Sequence, residues 1–362
     1  MNLLVSFVHA YLYNANSLLS NLERPALWHV LDTESYVYSI PFPRNVSDFF
    51  EVQSLLKGEK PLSGSRDFEV LPRFGLSGMF FFGDSIYASS WNALYQISPD
   101  TFEVQSIISH PLICDPHGLS GDNRFLVSVL TCKDTVVLTD FEGNLVDYFT
   151  VMNDLSVVKN DQIKDIDWRF VSKQYRGSCG FWHFNFVQLF EDEIWLTSRS
   201  TSCFVVLNIK IRKAHLRLIN HCTPHLVHDG KKRGEKFYFT SVDGKVFIVE
   251  DSEFSAIMMR SDEEYLDNMH LYHRDLIHKV IRLNDPKCLG REPNWCRGVE
   301  VVDGHIYVTI DGGYGGELSF GLLGLLGDGS MVVQKRLQWA DIGKADEIRY
   351  LSGFDIMNLD FR

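Results

Sequence analysis

The segment Val299-Glu300-Val301-Val302-Asp303-Gly304-His305-Ile306-Tyr307-Val308-Thr309 sets β-branched and aromatic residues on both sides of an Asp-Gly pair. A period of two marks strands with one buried face, and Asp-Gly between them supplies the positive φ angles of a tight hairpin turn. The segment reads as strand, turn, strand. Four other stretches repeat this design: Gly78 to Ser89 (GMFFFGDSIYAS), Gly118 to Leu130 (GLSGDNRFLVSVL), Phe186 to Ser198 (FVQLFEDEIWLTS) and Leu226 to Ser241 (LVHDGKKRGEKFYFTS). A third strand follows the first four of these hairpins, as in Ala93 to Ile97, Thr135 to Leu138, Phe204 to Leu207 and Lys245 to Val249, and a more variable fourth often follows.

Four antiparallel strands cannot bury both of their faces alone and must stack radially on similar units, which is the logic of a β-propeller. Five internal units are visible. A sixth is assembled from the termini, with Ser352 to Met357 as its inner strand and Leu3 to Val8 as its second. The expected fold is therefore an all-β, six-bladed β-propeller occupying residues 1–362 as a single domain, closed by pairing of the C-terminal strand with N-terminal strands. Inner strands start near positions 77, 117, 185, 228, 297 and 352, so the steps are about 40, 68, 43, 69 and 55 residues against roughly 40–45 for an ordinary blade. The excess falls in insertions at about 151–180 and 252–294, partly helical in pattern, and a further non-repeat segment, about 46–73, precedes the first internal blade; the 151–180 and 46–73 segments lead from an outer strand to the next inner strand and are expected over that face as lids.

The first strand of every blade lines the central channel, so residues at the strand starts converge on one mouth. They are Ser77, Cys114-Asp115-Pro116-His117, Cys179-Gly180-Phe181-Trp182-His183-Phe184-Asn185, Cys222-Thr223-Pro224-His225-Leu226-Val227-His228, Trp295-Cys296-Arg297 and Ser352. The likeness of CDPH to CTPH makes His117 equivalent to His225. Neutral imidazoles from separate strands can hold Fe, Mn or Zn with coordination positions left open, so His117, His183 and His225 form the expected metal set, with His228 as a fourth ligand or general base. The same rings can act without metal as acid, base or nucleophile, or serve only in packing. Asn185 is expected to orient substrate. Arg199 and Arg297 are expected to bind an anionic group, with a rim ion pair for Arg199, and one between Arg297 and Glu300, as structural alternatives. Cys114, Cys179, Cys222 and Cys296 read as small apolar packing residues, and His270, His273 and His278 as one face of a helix in the last insertion.

Composition narrows the partners. Lys and Arg number 35 against 47 Asp and Glu, giving a formal charge of −12 and a pI near 5.5. Such a balance does not suit phosphate-backbone binding, so no nucleic-acid partner is expected, and Lys231-Lys232-Arg233 reads as a solvated turn. No apolar run reaches the roughly 18 residues that would suggest a bilayer span, so no membrane partner is expected. Met1 to Ser20 lacks the basic start of a signal peptide and reads as a strand, and seven cysteines form no secreted disulfide pattern. A cytoplasmic monomer acting on a small molecule is the expectation. Gly75-x-x-Gly78 and Gly312 to Gly316 lie in hairpin surroundings and read as turns, and no G-x-S-x-G, H-E-x-x-H or EF-hand pattern occurs.

As an architecture, the chain resembles six-bladed propellers of the NHL, strictosidine-synthase-like and virginiamycin B lyase-like group. A local resemblance runs to bacterial arylsulfotransferases, propellers with a His-x-Asn strand start followed after the hairpin by Ser-Arg, as in His183-Phe184-Asn185 and Ser198-Arg199 here. That resemblance implies a sulfuryl-accepting histidine on another blade, His225 or His228, with His117 as a further channel histidine. This chain departs from the family in being smaller and in lacking its export signal. Three functions are thus open: metal-assisted lyase, hydrolase or oxygen-dependent chemistry; metal-free group transfer through a histidine; and a non-catalytic binding propeller.

Overall fold

The computed structural model describes residues 1–11, 23–32, 34–41, 74–170, 180–200, 203–218, 227–241, 244–250, 279–282, 295–311, 319–326, 331–338 and 348–360. Within them the fold is a six-bladed β-propeller of antiparallel sheets. Blade 1 runs through Met79–Phe82, Ser85–Ser89, Leu94–Ile97 and Val104–Ile108, and blade 2 through Leu119–Gly121, Leu126–Leu130, Thr135–Thr139 and Leu145–Val151. Blade 3 has Phe184–Phe190, Glu193–Ser198, Cys203–Asn208 and Lys213–Leu218; blade 4 has Val227–Arg233, Lys236–Ser241, Lys245–Glu250 and Lys279–Arg282. Blade 5 comprises Trp295–Val302, His305–Asp311, Ser319–Leu325 and Met331–Gln338. In blade 6 the C-terminal strand Ile348–Asn358 is innermost and pairs with Asn2–Tyr11, followed by Glu23–Leu31 and Ser35–Pro41. The expected closure of the ring from both ends of the chain is therefore observed.

The hairpin that decided the fold behaves as its residues dictate. Val302 pairs with His305 across Asp303 (φ 50°) and Gly304 (φ 77°), the left-handed pair of a two-residue turn. Apolar faces pack between blades, and each of the six junctions has its own buried cluster. Leu94 and Leu126 belong to the cluster between blades 1 and 2, Val129 and Leu196 between 2 and 3, Phe204 and Phe239 between 3 and 4, Val246 and Val308 between 4 and 5, Val5 and Leu322 between 5 and 6, and Leu4 and Ile86 between 6 and 1.

A second set of contacts runs around the channel. Buried hydroxyls at or near the ends of the second strands reach the inner strand of the next blade: Thr131 Oγ1 donates to the Phe184 carbonyl (3.0 Å), Thr197 to His228 (2.7 Å), Thr240 to Arg297, Thr309 to Gly353 (3.1 Å) and Ser6 to Ser77. In blade 1 the task is shared, because Ser77 Oγ donates to the Pro116 carbonyl and hydrogen-bonds Ser89 Oγ at 2.8 Å. The same hydroxyls accept amide protons from their own blade: Gly78 N–H donates to Ser89, Phe186 to Thr197, Asp229 to Thr240 and Asp355 to Ser6. Register shifts fall at these places, between Phe184 and Phe186, Val227 and Gly230, Cys296 and Val299, and opposite Ser6 and Phe7. Each inner strand from blade 3 to blade 6 thus carries a β-bulge whose stray backbone groups a hydroxyl satisfies.

The bulges change two expectations. Taking the carbonyls reached by the hydroxyls as equivalent, Arg297 matches His228 and Pro116, whereas His117 matches Asn185, Asp229 and Phe354, so positions 117 and 297, both taken from the sequence as inner-strand starts, are one residue out of step. Both are nonetheless followed by glycines needed for close blade approach: a Cβ on Gly118 would lie 2.7 Å from the Val187 nitrogen, and one on Gly298 would lie 2.9 Å from the Asp355 Cα. Second, Lys231-Lys232-Arg233 is no solvated turn. It continues the inner strand of blade 4; Lys231 reaches the Ile356 carbonyl at 2.9 Å and Glu300 at 3.4 Å, while Arg233 binds Glu300 through both carboxylate oxygens. Glu300 is therefore the partner of blade 4 cations and not of Arg297.

In the 151–180 insertion, a short helix Asp161–Lys164 starts at Asn160, whose side chain accepts the Gln162 N–H, and Trp168 is buried with its N–H on the Pro111 carbonyl. The 46–73 segment lies outside the described residues, as does most of 252–294, including His270, His273 and His278. Cys114 and Cys296 are buried in apolar clusters as expected, whereas Cys179 and Cys222 fall outside the described residues. Among the described residues no helix is long and apolar enough to cross a membrane.

Replacing Thr197 with Val keeps the shape but strips partners from the buried His228 carbonyl and Phe186 N–H. Urea unfolding should show a loss of about 1–3 kcal/mol, with Thr197→Ser retaining most of the stability; a Val variant as stable as the parent would refute the ring's contribution.

Candidate functional site

Four bulged or kinked inner-strand starts place side chains from different blades in one cluster. His117 and His183 lie with ring centroids 5.8 Å apart in edge contact, and His117 and His228 lie 6.2 Å apart with nearly parallel planes. All three rings are buried, as are Asn185 and Arg297. Phe354, from the blade assembled from both termini, presents its ring to His117 at 5.4 Å and to His228 at 5.6 Å, and the Arg297 guanidinium sits over it at 4.5 Å.

Each ring has a defined neighbour. His117 Nδ1 donates to Asn185 Oδ1 at 2.6 Å, which leaves Nε2 as the acceptor nitrogen, 3.6 Å from Asp115 Oδ1. His228 Nε2 accepts from Arg297 Nη1 at 2.8 Å, and its Nδ1 faces Asp229 Oδ1 at 3.3 Å. Burial holds the His228 imidazole well below its ordinary titration range, and the charges of Arg297, His117, Arg199 and His183 push in the same direction. His228 is therefore a neutral base at physiological pH. Asn185 Nδ2 is buried and, among the described residues, has no hydrogen-bond partner.

His183 is held by strain and by its surroundings. Its φ is 48°, a left-handed value costly for a residue with a Cβ. Asp134 compensates by accepting the His183 N–H at 2.9 Å and the Trp182 N–H at 3.0 Å; a Cβ on Gly180 would strike this carboxylate at 2.3 Å. The Ser198-Arg199 pair serves the same turn, with Ser198 Oγ donating to the Trp182 carbonyl at 2.6 Å and the Arg199 N–H to the His183 carbonyl at 3.3 Å. This is the local reason for His-x-Asn and Ser-Arg to occur together: Phe184 pairs with Ser198, so the two ends of the hairpin meet at the mouth.

The structure thus brings together His117, His183, Asn185, His228 and Arg297, with Arg199 tied to the same turn. His225 lies outside the described residues. Asp115, Asp134, Asp229 and Phe354 join the cluster without having been singled out in the sequence; only Asp115 and Asp229, next to or near a channel histidine, carried any local signal. Beside His117 lies a small cleft, with room for about one water molecule, lined in part by Ser77, Ser90, Trp91, Asp115 and Phe354.

The donor set can be tested against a metal ion. Among the described residues no group of three or more His, Cys, Asp or Glu side chains is arranged to hold one. The lone pair of His228 Nε2 is directed at an Arg N–H, which takes that ring out of a ligand set, whereas the contact of His117 Nδ1 with an amide oxygen is one that a ligating imidazole also makes. Two guanidiniums beside the rings further favour an anion over a cation.

No protein-family model matches the chain, and no curated protein matches its sequence. Among solved structures, a chain of the nidogen/laminin complex is similar over 98% of this chain and 97% of that one, with a TM-score of 0.53 at 8% identity. Hydrazine synthase of Kuenenia stuttgartiensis is similar over 77% of this chain and 70% of that chain (TM-score 0.44, 8% identity), and the β-propeller domain of Swd1 from Myceliophteria thermophila over 73% and 71% (TM-score 0.41, 9% identity). At such identities the first of these likenesses establishes the fold, and function has to be argued from the mouth itself.

Burial raises the Asp134 carboxyl to about 6 against the pull of the amide protons of Trp182, His183 and Phe181. Because the folded protein then holds this proton more tightly than the unfolded chain, the group favours folding below about pH 4 and loses that contribution as pH rises through 6. Asp134→Asn removes the titration. The stability of the parent relative to this variant should therefore fall between pH 4 and 7, by up to about 3 kcal/mol, in denaturant titrations at each pH; a pH-independent difference would contradict the assignment.

Proposed function

We propose that the channel mouth is the active site of a metal-free group-transfer enzyme acting on a small oxyanion ester, sulfuryl or phosphoryl, with His228 as the accepting nucleophile. The observation that carries this reading is the buried contact of Arg297 Nη1 with His228 Nε2 at 2.8 Å, which places a fixed cation at the nitrogen of a neutral imidazole. In water an imidazole near its ordinary pKa is partly protonated and non-nucleophilic; here burial and neighbouring charge keep it neutral.

The residues divide the work. Arg297 turns its N–H from His228 onto the oxygens of the incoming group, and Arg199 and the free amide protons of Asn185 bind the same oxygens as charge builds on them. His228 Nε2 forms a bond to sulfur or phosphorus while the ester oxygen departs with its electron pair. An acceptor hydroxyl then attacks, gives its proton to His117 Nε2, and the bond to His228 breaks with its electrons returning to the ring. The His117 proton passes to the departed oxygen, so one ester is exchanged for another. Asn185 keeps His117 in the tautomer that can accept that proton. The resemblance of His183-Phe184-Asn185 and Ser198-Arg199 to arylsulfotransferases supports this reading, with His228 in the role of the accepting histidine. The protein is read as a cytoplasmic monomer with a small-molecule substrate.

Incubation with 4-nitrophenyl sulfate or phosphate and a phenolic acceptor should release 4-nitrophenol with ping-pong kinetics, and mass spectrometry of quenched enzyme should find the transferred group on the His228 peptide. His228→Ala should abolish the adduct, and Arg297→Met should lower turnover by about 10²–10³-fold. Elemental analysis without chelators accompanies the assay. Stoichiometric Fe, Mn or Zn that is lost in His117→Ala, with turnover lost on its removal, would replace this reading with metal-assisted chemistry; anion binding without adduct or turnover would make the propeller a binding module.

A further inference from the structure

An ordinary strand sends adjacent side chains to opposite faces, so a His-Asp dipeptide cannot form a dyad with itself. Blade 4 breaks this rule. Val227 pairs with Ser241 and the next paired residue is Gly230, so His228 and Asp229 share one bulge. Thr197 anchors the His228 carbonyl and Thr240 accepts the Asp229 N–H, fixing both halves of the bulge from two different blades. The outcome is an imidazole 3.3 Å from the carboxylate of its own successor, with both side chains buried.

We propose that Arg297, His228 and Asp229 form a relay in which Asp229 is the positioning residue for His228, receiving the Nδ1 proton so that the Nε2 lone pair faces the mouth and the imidazolium formed at Nε2 is neutralised. This deepens the group-transfer reading above and rests on it for the identity of the transferred group, but the dyad itself does not depend on which group is moved. Arg297 can only donate, so its contact with Nε2 requires the neutral ring to carry its proton on Nδ1; that nitrogen makes no hydrogen bond among the described residues, and Asp229 Oδ1 stands 3.3 Å from it, within reach of a small turn of either side chain. Asp229 Oδ2 has no hydrogen-bond partner among the described residues, so this carboxylate is not otherwise committed.

Burial and the charge of Asp355 push the Asp229 carboxyl toward its protonated form, while Arg297 and Lys231 pull the other way. Asp355 is held by the amides of Met79 and Ile356 at 2.8 Å and lies 3.6 Å from Lys231, which in turn is held by Glu300 and the Ile356 carbonyl. With Arg233 on Glu300, two cations and two carboxylates make a charge-balanced group. Facing the dyad are Arg297, Arg199, His117 and His183 from the mouth side and Asp355 and Lys231 from below. Positive charge forming on His228 favours the ionised form of Asp229, which burial otherwise disfavours, so the two groups change charge together in the step assigned to them.

The test begins with the unmodified protein. Nitrogen-15 NMR of histidine-labelled protein, with His228 assigned by the signal missing from His228→Gln, should show Nδ1 protonated, Nε2 unprotonated, and a strongly downfield Nδ1 proton. Asp229→Asn, close to isosteric, should remove that downfield proton and reduce formation of the His228 adduct by about 10²–10⁴-fold while leaving binding of inorganic sulfate or phosphate within about threefold; thermal melting verifies that the variant is folded. A proton on Nε2 in the parent protein, or an unchanged Nδ1 proton in folded Asp229→Asn, would overturn the proposal. The expected tautomer without any adduct from sulfate or phosphate esters would instead sink the group-transfer reading and leave the dyad standing.

Discussion

The channel wall depends on a circuit of hydroxyl groups that ties each blade to the next. A bulge in an inner strand is costly in a buried place, because it leaves an N–H and a C=O without ladder partners. Ser6, Thr197 and Thr240 meet that cost in one stroke, accepting the amide of their own blade and donating to the carbonyl of the neighbouring one. Serine and threonine suit the position because a hydroxyl is donor and acceptor at once. An apolar residue of similar size would pack as well and leave two buried groups unsatisfied. The bulges, once stabilised, are what turn consecutive residues such as His228 and Asp229 toward the same channel.

Charge is arranged in layers along that channel, and the sign of the whole chain predicts neither layer. The mouth collects Arg297 and imidazoles although the formal charge is −12. Phe354 contributes an aromatic floor there, with two imidazoles against its ring and a guanidinium on its face. Below it, Lys231, Arg233, Glu300 and Asp355 form mutual pairs. Burial pulls the Lys231 ammonium toward deprotonation, but Asp355 and Glu300 outweigh it and raise its pKa. A buried pair of this kind contributes little net stability compared with an apolar filling. Its consequence is geometric: it joins the inner strands of blades 4, 5 and 6.

The blade pattern was legible because period-two alternation and turn residues are local properties, and they recur along the chain. Assembly of the last blade from both termini was legible for the same reason, since Leu3 to Val8 and Ser352 to Met357 each look like part of a blade that the other completes. Register at the strand starts was not. A bulge shifts a comparison by one residue, which puts His117 and Arg297 out of step, and the likeness of CDPH to CTPH pairs His117 with His225, four residues before the Asp229 that the hydroxyl circuit aligns with it. Lys231-Lys232-Arg233 misled for a related reason: three cations in sequence look like solvent-facing residues when the carboxylates that neutralise them, Glu300 and Asp355, lie on other blades.

The candidate site was legible as a convergence of imidazoles but not as a chemistry. Which residues meet follows from radial symmetry; what they can do follows from which nitrogen each ring offers, and that is decided by second partners from elsewhere in the chain. Asn185 fixes the proton of His117 across one blade junction, and Arg297 fixes the lone pair of His228 across another. Three histidines with unclaimed lone pairs would be a metal site. Here an arginine claims one lone pair, and an amide oxygen fixes which nitrogen of a second ring carries the proton.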